Sequence, residues 1–212
     1  MNQTQESVNE EIVANEQLKN VTHNRELMLK AREFLKGKWG TAAGAVFILT
    51  IITIPISIIP IAGPIINFII GGAFTVGIAL FWLSIIRQKT VKKSQIFSGF
   101  KIFWKCFVAK FMTTLFILLW SLLLIVPGIM AAYSYAMTFF IIADNPEIRA
   151  LEAIKESKKI MYGHRWKLFC LMWRFFGWML LSILTLGIGF FWLFAYMGTS
   201  FACFYEDIKQ KK

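Results

Sequence analysis

Three long apolar runs dominate the chain, over residues 41–86, 111–143 and 168–205. Each is opened by a glycine, a base and a tryptophan: Gly37-Lys38-Trp39, then Gly99-Phe100-Lys101-Ile102-Phe103-Trp104-Lys105, then Gly163-His164-Arg165-Trp166-Lys167. Tryptophan beside Lys or Arg suits a chain passing from headgroups into acyl chains. Each run is broken near its middle, by Pro60-Ile61-Ala62-Gly63-Pro64, by Pro127-Gly128, and by Thr185-Leu186-Gly187-Ile188-Gly189. A run cut by turn residues reads as a hairpin of two helices. The pattern predicts an all-α polytopic membrane protein of about six transmembrane helices in three hairpins. The expected spans are 41–61, 64–86, 107–126, 128–143, 168–186 and 188–205, within one membrane domain over 27–205. The middle run is too long for one crossing of ~20 residues and slightly short for two. Two fit if Phe107 and Val108 join it and Lys110 snorkels.

Between the runs the pattern changes to helical amphipathicity. Leu27, Ala31 and Phe34 recur at helical spacing among Lys30, Arg32 and Lys36, which predicts a helix on the membrane surface. Asp144-Asn145-Pro146-Glu147 reads as a helix start. The helix it opens carries Leu151, Ile154 and Met161 on one side and a mixed charged face on the other, again expected along the headgroups. Within the spans, Gly40 and Gly44 form a GxxxG pattern for close approach. Gly71, Gly72, Ala73 and Gly77 give the second span a small face, and Pro55 predicts a kink in the first. The spacing of Gly37, Gly99 and Gly163 suggests a threefold hairpin repeat.

Composition sharpens this picture. Hydrophobic residues make up 57%, aromatics 16% and charged residues only 17%, with a net charge of +11. Residues 1–26 hold five acids against two bases and predict a flexible polar tail, with a short C-terminal tail over 206–212. The bases therefore lie beside apolar spans, where anionic lipid headgroups and not nucleic acid are the natural counter-charge. All four basic regions, around 30–38, 87–110, 149–167 and 209–212, fall between hairpins or at the chain end, whereas the three breaks are uncharged. Bases stay cytoplasmic, so both termini are expected inside a cytoplasmic membrane. No secretory leader is visible, and the first span is expected to act as an uncleaved anchor. The motif Asn20-Val21-Thr22 is a chance sequon in such a tail. Cys106, Cys170 and Cys203 are isolated, which supports neither a disulfide framework nor a metal site.

Candidate chemistry is sparse. No Asp, Glu or His lies inside an apolar run, and no phosphate loop or hydrolase elbow occurs. The residues expected to meet lipid headgroups are Lys155, Lys158, Lys159, His164, Arg165 and Lys167. His164 reads either as a phosphate contact or as an interfacial ring. Arg174, two turns into the fifth span, reads as a snorkelling base or a buried functional charge. Asn67, Thr113, Thr114, Ser121 and Ser134 read as interhelical hydrogen bonders or as the lining of a solute path. Asp144 and Glu147 read as helix-start residues, and Tyr133, Tyr135, Tyr196 and Tyr205 as belt or packing residues.

Several segments together carry a resemblance: Pro127-Gly128-Ile129, Tyr133-Ser134-Tyr135-Ala136-Met137, Ala143-Asp144-Asn145-Pro146, the stretch from Met161 to Phe169, Gly177-Trp178, Leu184 to Gly189, and Phe204-Tyr205. They resemble a family of uncharacterised bacterial integral membrane proteins of the domain-of-unknown-function type, common in Gram-positive bacteria. That family is distantly similar to the membrane domain attached to some glycerophosphodiester phosphodiesterases. The resemblance covers residues 27–205 and is densest after Pro127, although Ala195 stands before Tyr196 where a proline is usual. It implies a multi-span membrane protein with no established activity. The phosphodiesterase chemistry belongs to a separate soluble domain, so no catalytic residues follow from it. The expectation is a non-enzymatic protein, without catalytic residue, metal or cofactor, that organises anionic lipid or an unknown membrane protein partner, or self-associates. The alternative is a small-solute transporter or permease, and an enzyme acting on lipid stands third.

Overall fold

The computed structural model describes residues 23–89, 91, 93–185 and 187–210, all of whose regular elements are helical. In chain order these are α1 (Asn24–Leu35), α2 (Trp39–Ile58), α3 (Ala62–Ile86), a 3-10 segment (Lys93–Ile102), α4 (Phe103–Leu123), α5 (Ile125–Tyr135), α6 (Thr138–Asp144), α7 (Ala150–Ile160), α8 (Arg165–Leu184) and α9 (Gly189–Lys209). The expected polar tail and its sequon lie outside the described residues, apart from residues 23–26. There the tail gives way early to α1, because the His23 ring Nδ1 accepts from the Arg25 N–H at 3.3 Å and caps the first turn.

Among the described residues, five stretches are long and apolar enough to cross a membrane: Trp39–Ile58, Ala62–Ile86, Ser94–Leu123, Ile125–Asp144 and Arg165–Leu184. α9 has the length, with 21 residues, but closes on Glu206, Asp207 and Lys209. Its apolar side chains Leu193, Ala202, Phe204 and Ile208 are buried against the rest of the protein.

α3 is the centre of the packing. It touches α2, the 3-10 segment, α4, α6 and α9, and 67% of its apolar window is buried against 17% for α2. The small face expected on α3 makes this possible. A Cβ on Gly77 would stand 1.8 Å from the Ile96 carbonyl oxygen, and one on Gly72 would stand 2.5 Å from that of Cys106. Gly71 has open space beside it, because it points away from that contact. The GxxxG pattern of α2 is not the contact it suggests. Gly40 also faces open space, and the buried face of α2 is Ala42, Ala45 and Val46.

Two of the three doorways are the same device. Gly37 and Gly163 adopt φ of 74° and 79°, a left-handed conformation that costs an L-residue ~1–2 kcal/mol. Each ends an amphipathic helix and redirects the chain into an apolar one. Gly99 differs, since it lies inside the 3-10 segment and a Cβ there would stand 2.0 Å from the Ala73 carbonyl oxygen. It serves close approach, so the middle doorway has no matching turn. The amphipathic helices also differ from expectation. α1 turns Leu27, Ala31 and Leu35 onto α9, and α7 buries Ala153, Ile154, Ser157 and Ile160 against α4, α5 and α6. Their apolar faces are covered by protein and not by acyl chains. Leu151, expected beside Ile154, is exposed.

Other boundaries shift for local reasons. The helix expected to open at Asp144 starts at Ala150, where the Glu152 carboxylate accepts the Arg149 N–H at 3.3 Å. Asn145-Pro146-Glu147 forms a turn instead, with Asn145 Oδ1 accepting from the Glu147 N–H at 3.3 Å. The middle run breaks at Leu124, which is extended (φ −160°, ψ 143°), and not at Pro127. Proline sits without penalty in the first turn of α5, where its missing N–H would have no partner. Pro55 likewise lies within α2, which runs on to Ile58. A second break separates α5 from α6, and the Ser134 carbonyl near it accepts the buried Ser157 hydroxyl of α7 at 2.8 Å.

Ring contacts fix how far each hairpin reaches. Trp39, the first residue of α2, meets Tyr196 at 6.3 Å, and Phe47 meets Phe191 at 5.5 Å. Phe175 meets Tyr196 at 5.4 Å. Past that common level, α8 continues roughly 14 Å to Leu184, whereas α2 continues roughly 28 Å to Ile58 at ~1.5 Å per residue. The α8–α9 hairpin therefore extends about half as far as α2 does.

Candidate functional site

The first charges met after the ends of α3, of α6 and of the apolar part of α9 come together. Arg87 follows α3, and its guanidinium donates from Nη1 to Asp144 Oδ1 at 2.6 Å and from Nε to Glu206 Oε1 at 2.6 Å. The other Asp144 oxygen accepts the Tyr205 hydroxyl at 3.2 Å and the Lys209 ammonium. At the next residue of α9, Asp207 Oδ2 binds Lys167 Nζ at 2.8 Å, and Lys167 Nζ sits 5.3 Å from the centre of the Phe204 ring. The Lys167 carbonyl in turn accepts the Asn24 side-chain amide at 2.9 Å, which ties in α1.

Burial pulls the Arg87 pKa down, but its hydrogen bonds to Asp144 and Glu206 outweigh this and leave it above the ordinary value. The guanidinium is planar and reaches two carboxylates on two different helices at once. This arrangement clasps the ends of α3, α6 and α9. Asp144, read from sequence as a helix-start residue, is instead the acceptor at the centre of this clasp.

The bases singled out from sequence separate into three groups. Lys155, Lys158 and Lys159 are exposed along the outer face of α7. Lys158 and Arg165 converge on one cavity of about 210 Å³, whose other walls include Trp120, Pro127, Met130 and Ala131. Arg165 Nε is shielded there without a hydrogen-bond partner among the described residues. His164 is half-buried beside it. Lys167 belongs to the clasp.

Arg174 is exposed on α8. It lines a cavity with His23, Trp166 and Trp173, and its neighbour Phe175 is level with Tyr196 and, through it, Trp39. The polar span residues scatter. Asn67 donates to Ser57 Oγ at 2.8 Å, closing α2 on α3 near their turn. Thr113 is buried in α4, and Ser121 packs against Gly128 at the opposite end of that helix. Cys106 and Cys203 are buried and Cys170 half-buried, all as free thiols.

The clasp was missed in the sequence because each charge was read against its own neighbours. The available signal was positional: Arg87, Asp144 and Glu206 are each the first charge after an apolar segment that the topology directs to one face.

Fold and charge together define an all-α protein built for a membrane, with helix ends pinned by a partly buried ionic cluster. The chain belongs to the family described as "Protein of unknown function (DUF975)", which it matches over residues 21–138 and 122–212. No curated protein and no solved structure matches it.

Proposed function

We propose that this is a non-enzymatic protein of the bacterial cytoplasmic membrane that organises anionic lipid, or a partner protein held with that lipid, at the inner face. The observation that carries the reading is the convergence of Lys158 and Arg165 on one cavity whose other walls are mostly apolar, with Ser134 and Tyr135 among them, flanked by exposed Lys155 and Lys159. Charge at the mouth and apolar side chains within suit a phosphate-headed amphiphile, at ~1 kcal/mol per well-placed base. A solute path gains no support from the cavity that Asn67 lines, which neither Thr113 nor Ser121 joins.

Six helices enter the membrane as three hairpins in this proposal, α2–α3, α4–α5/α6 and α8–α9, with both termini and all basic segments inside. The third hairpin turns within the bilayer in place of crossing twice. The positive-inside rule is met either way, since both of its ends stay inside. A shallow third hairpin also removes the cost of Arg174. Arg174 lies roughly 13 Å beyond Arg165 along α8, and its neighbour Phe175 is level with Tyr196 and Trp39, so a shallow hairpin keeps it near the interface. The Gram-positive setting and the distant likeness to the membrane domain of glycerophosphodiester phosphodiesterases belong to the same proposal, carried by the segments between Pro127 and Tyr205.

The test is extraction of the full chain in polymer-bounded native discs, followed by mass spectrometry of lipid and protein. Wild type is expected to retain phosphatidylglycerol above its bulk proportion, and a Lys155→Gln, Lys158→Gln, Lys159→Gln variant to lose most of that enrichment. Equal lipid ratios in the two, with no co-extracted protein partner, would sink the reading.

A further inference from the structure

A groove of about 400 Å³ lies between α8 and α9, closed at one end by α1 and the start of α2. Its size falls within the ~300–1,000 Å³ of ligand pockets. Trp178 and Leu181 form one wall, and Trp192 and Leu193 the other. Arg32 and Trp39 stand at one end, Thr185 and Gly189 at the other. The contacts of Trp39 with Tyr196 and of Phe175 with Tyr196 orient this axis, running from the common level at Trp39 toward the α8–α9 turn. Its length is that of the short hairpin, roughly 10–14 Å, which is close to one leaflet of a ~30 Å hydrocarbon core.

The two ends differ in chemistry. At the turn, the polar groups are already satisfied: Thr185 Oγ1 donates to the Ser182 carbonyl at 2.8 Å and accepts the Gly189 N–H at 3.0 Å, and Ser182 Oγ donates to the Trp178 carbonyl at 2.9 Å. That end offers nothing to a polar ligand. A turn saturated in this way is what hydrocarbon demands of a chain reversal.

At the other end Arg32 has no hydrogen bond or ion pair among the described residues. Its neighbours one turn away on α1, Met28, Leu29, Leu35 and Lys36, include no acid. No Asp or Glu lines the groove. A guanidinium that no acid among the described residues pairs with, beside Trp39 and above an apolar slot, is complementary to a phosphate carrying an acyl chain.

We propose that this groove seats one anionic phospholipid of the inner leaflet, with its phosphate on Arg32 and an acyl chain between the Trp178–Leu181 and Trp192–Leu193 walls. A free phosphate would leave the apolar length empty, and a zwitterionic lipid would place a second cation beside Arg32. The site rests on the inner-face placement proposed above but uses none of the α7 bases, so the two readings fail separately.

The test uses the full chain reconstituted in phosphatidylglycerol or in phosphatidylcholine bilayers, each with a trace of the same lipid bearing a diazirine on its acyl chain. After photolysis, adducts are mapped by peptide mass spectrometry. Phosphatidylglycerol adducts are expected to concentrate on residues 178–193. Arg32→Gln lowers them about tenfold, the loss of one charged hydrogen-bonded contact, and Arg32→Lys largely retains them. Competing inorganic phosphate leaves them in place. Lys155→Gln, Lys158→Gln, Lys159→Gln also leaves them in place, even as it lowers bulk lipid enrichment. Adducts spread evenly over the exposed apolar helices, equal yields from phosphatidylcholine, or an Arg32→Gln variant labelled like wild type would each overturn the site and leave the α7 reading standing.

Discussion

Arg87 Nη1 lies 2.6 Å from Asp144 Oδ1, which joins the end of the central helix α3 to the end of α6. The pair is partly shielded, with the Arg87 side chain 30% exposed and that of Asp144 11%. Glu206, from α9, takes the remaining guanidinium edge at 2.5 Å. Three elements distant in sequence thus share one cation.

Removing that cation takes the guanidinium from Glu206 and leaves Asp144 with only Lys209 and Tyr205. Arg87→Gln is expected to destabilise the fold by about 2–4 kcal/mol, near the lower part of the range for breaking a buried pair because the site is partly solvated. Thermal unfolding of the purified protein in a mild detergent reads this out. The double variant Arg87→Gln, Asp144→Asn should lose less than the two single losses added together. An Arg87→Gln protein as stable as wild type would mean that the clasp is incidental.

Two glycines six residues apart on α3 should respond oppositely to alanine. At Gly77 the new methyl group would stand 1.8 Å from the Ile96 carbonyl oxygen, so the 3-10 segment must move away from α3. The expected loss is about 2–3 kcal/mol, typical of overpacking against backbone. At Gly71 the space is open, and Gly71→Ala should gain up to ~1 kcal/mol through helix propensity. The ratio of folded to aggregated protein after heating distinguishes them, and matching behaviour of the two variants would contradict the packing of α3 on the 3-10 segment.

Depth of the hairpins can be measured in a background with Cys106, Cys170 and Cys203 replaced by alanine. Ile61→Cys, at the α2–α3 turn, is expected to react with a membrane-impermeant maleimide added outside intact cells. Ile188→Cys, at the α8–α9 turn, is expected to stay unlabelled from either side until detergent is added. Labelling of Ile188→Cys from outside at the rate of Ile61→Cys would restore a full crossing for the third hairpin.

Much of the architecture was legible in the chain. Two of the three uncharged breaks, at 60–64 and 185–189, hold turns, because proline and glycine cannot extend a helix without loss, whereas Pro127-Gly128 lies inside α5. The last break illustrates it: Thr185 and Gly189 bond each other directly, at 3.0 Å, within the predicted turn. The αL glycines Gly37 and Gly163 were equally visible as junctions. The boundary at Leu124 moved because a proline tolerated in a first turn looks in sequence like one that breaks a helix, and that at Ala150 moved because Asn145-Pro146-Glu147, with the residue types of a helix start, closes a turn of its own.

The sequence by itself determined that this protein is all-helical, with helices long and apolar enough for a membrane, and where two of its three hairpin turns fall, since each follows from a run of neighbouring side chains and its transfer free energy. Only the tertiary structure decided what those helices cover and which charges meet. α1 and α7 have the periodicity of surface helices, but whether lipid or protein takes their apolar faces depends on helices far away in the chain. Arg87, Asp144 and Glu206 each look like an ordinary helix-end charge. Their union depends on α3, α6 and α9 ending at one place, and the short reach of α8–α9 depends on Phe47 meeting Phe191. These are contacts between distant segments, and no local spacing encodes them.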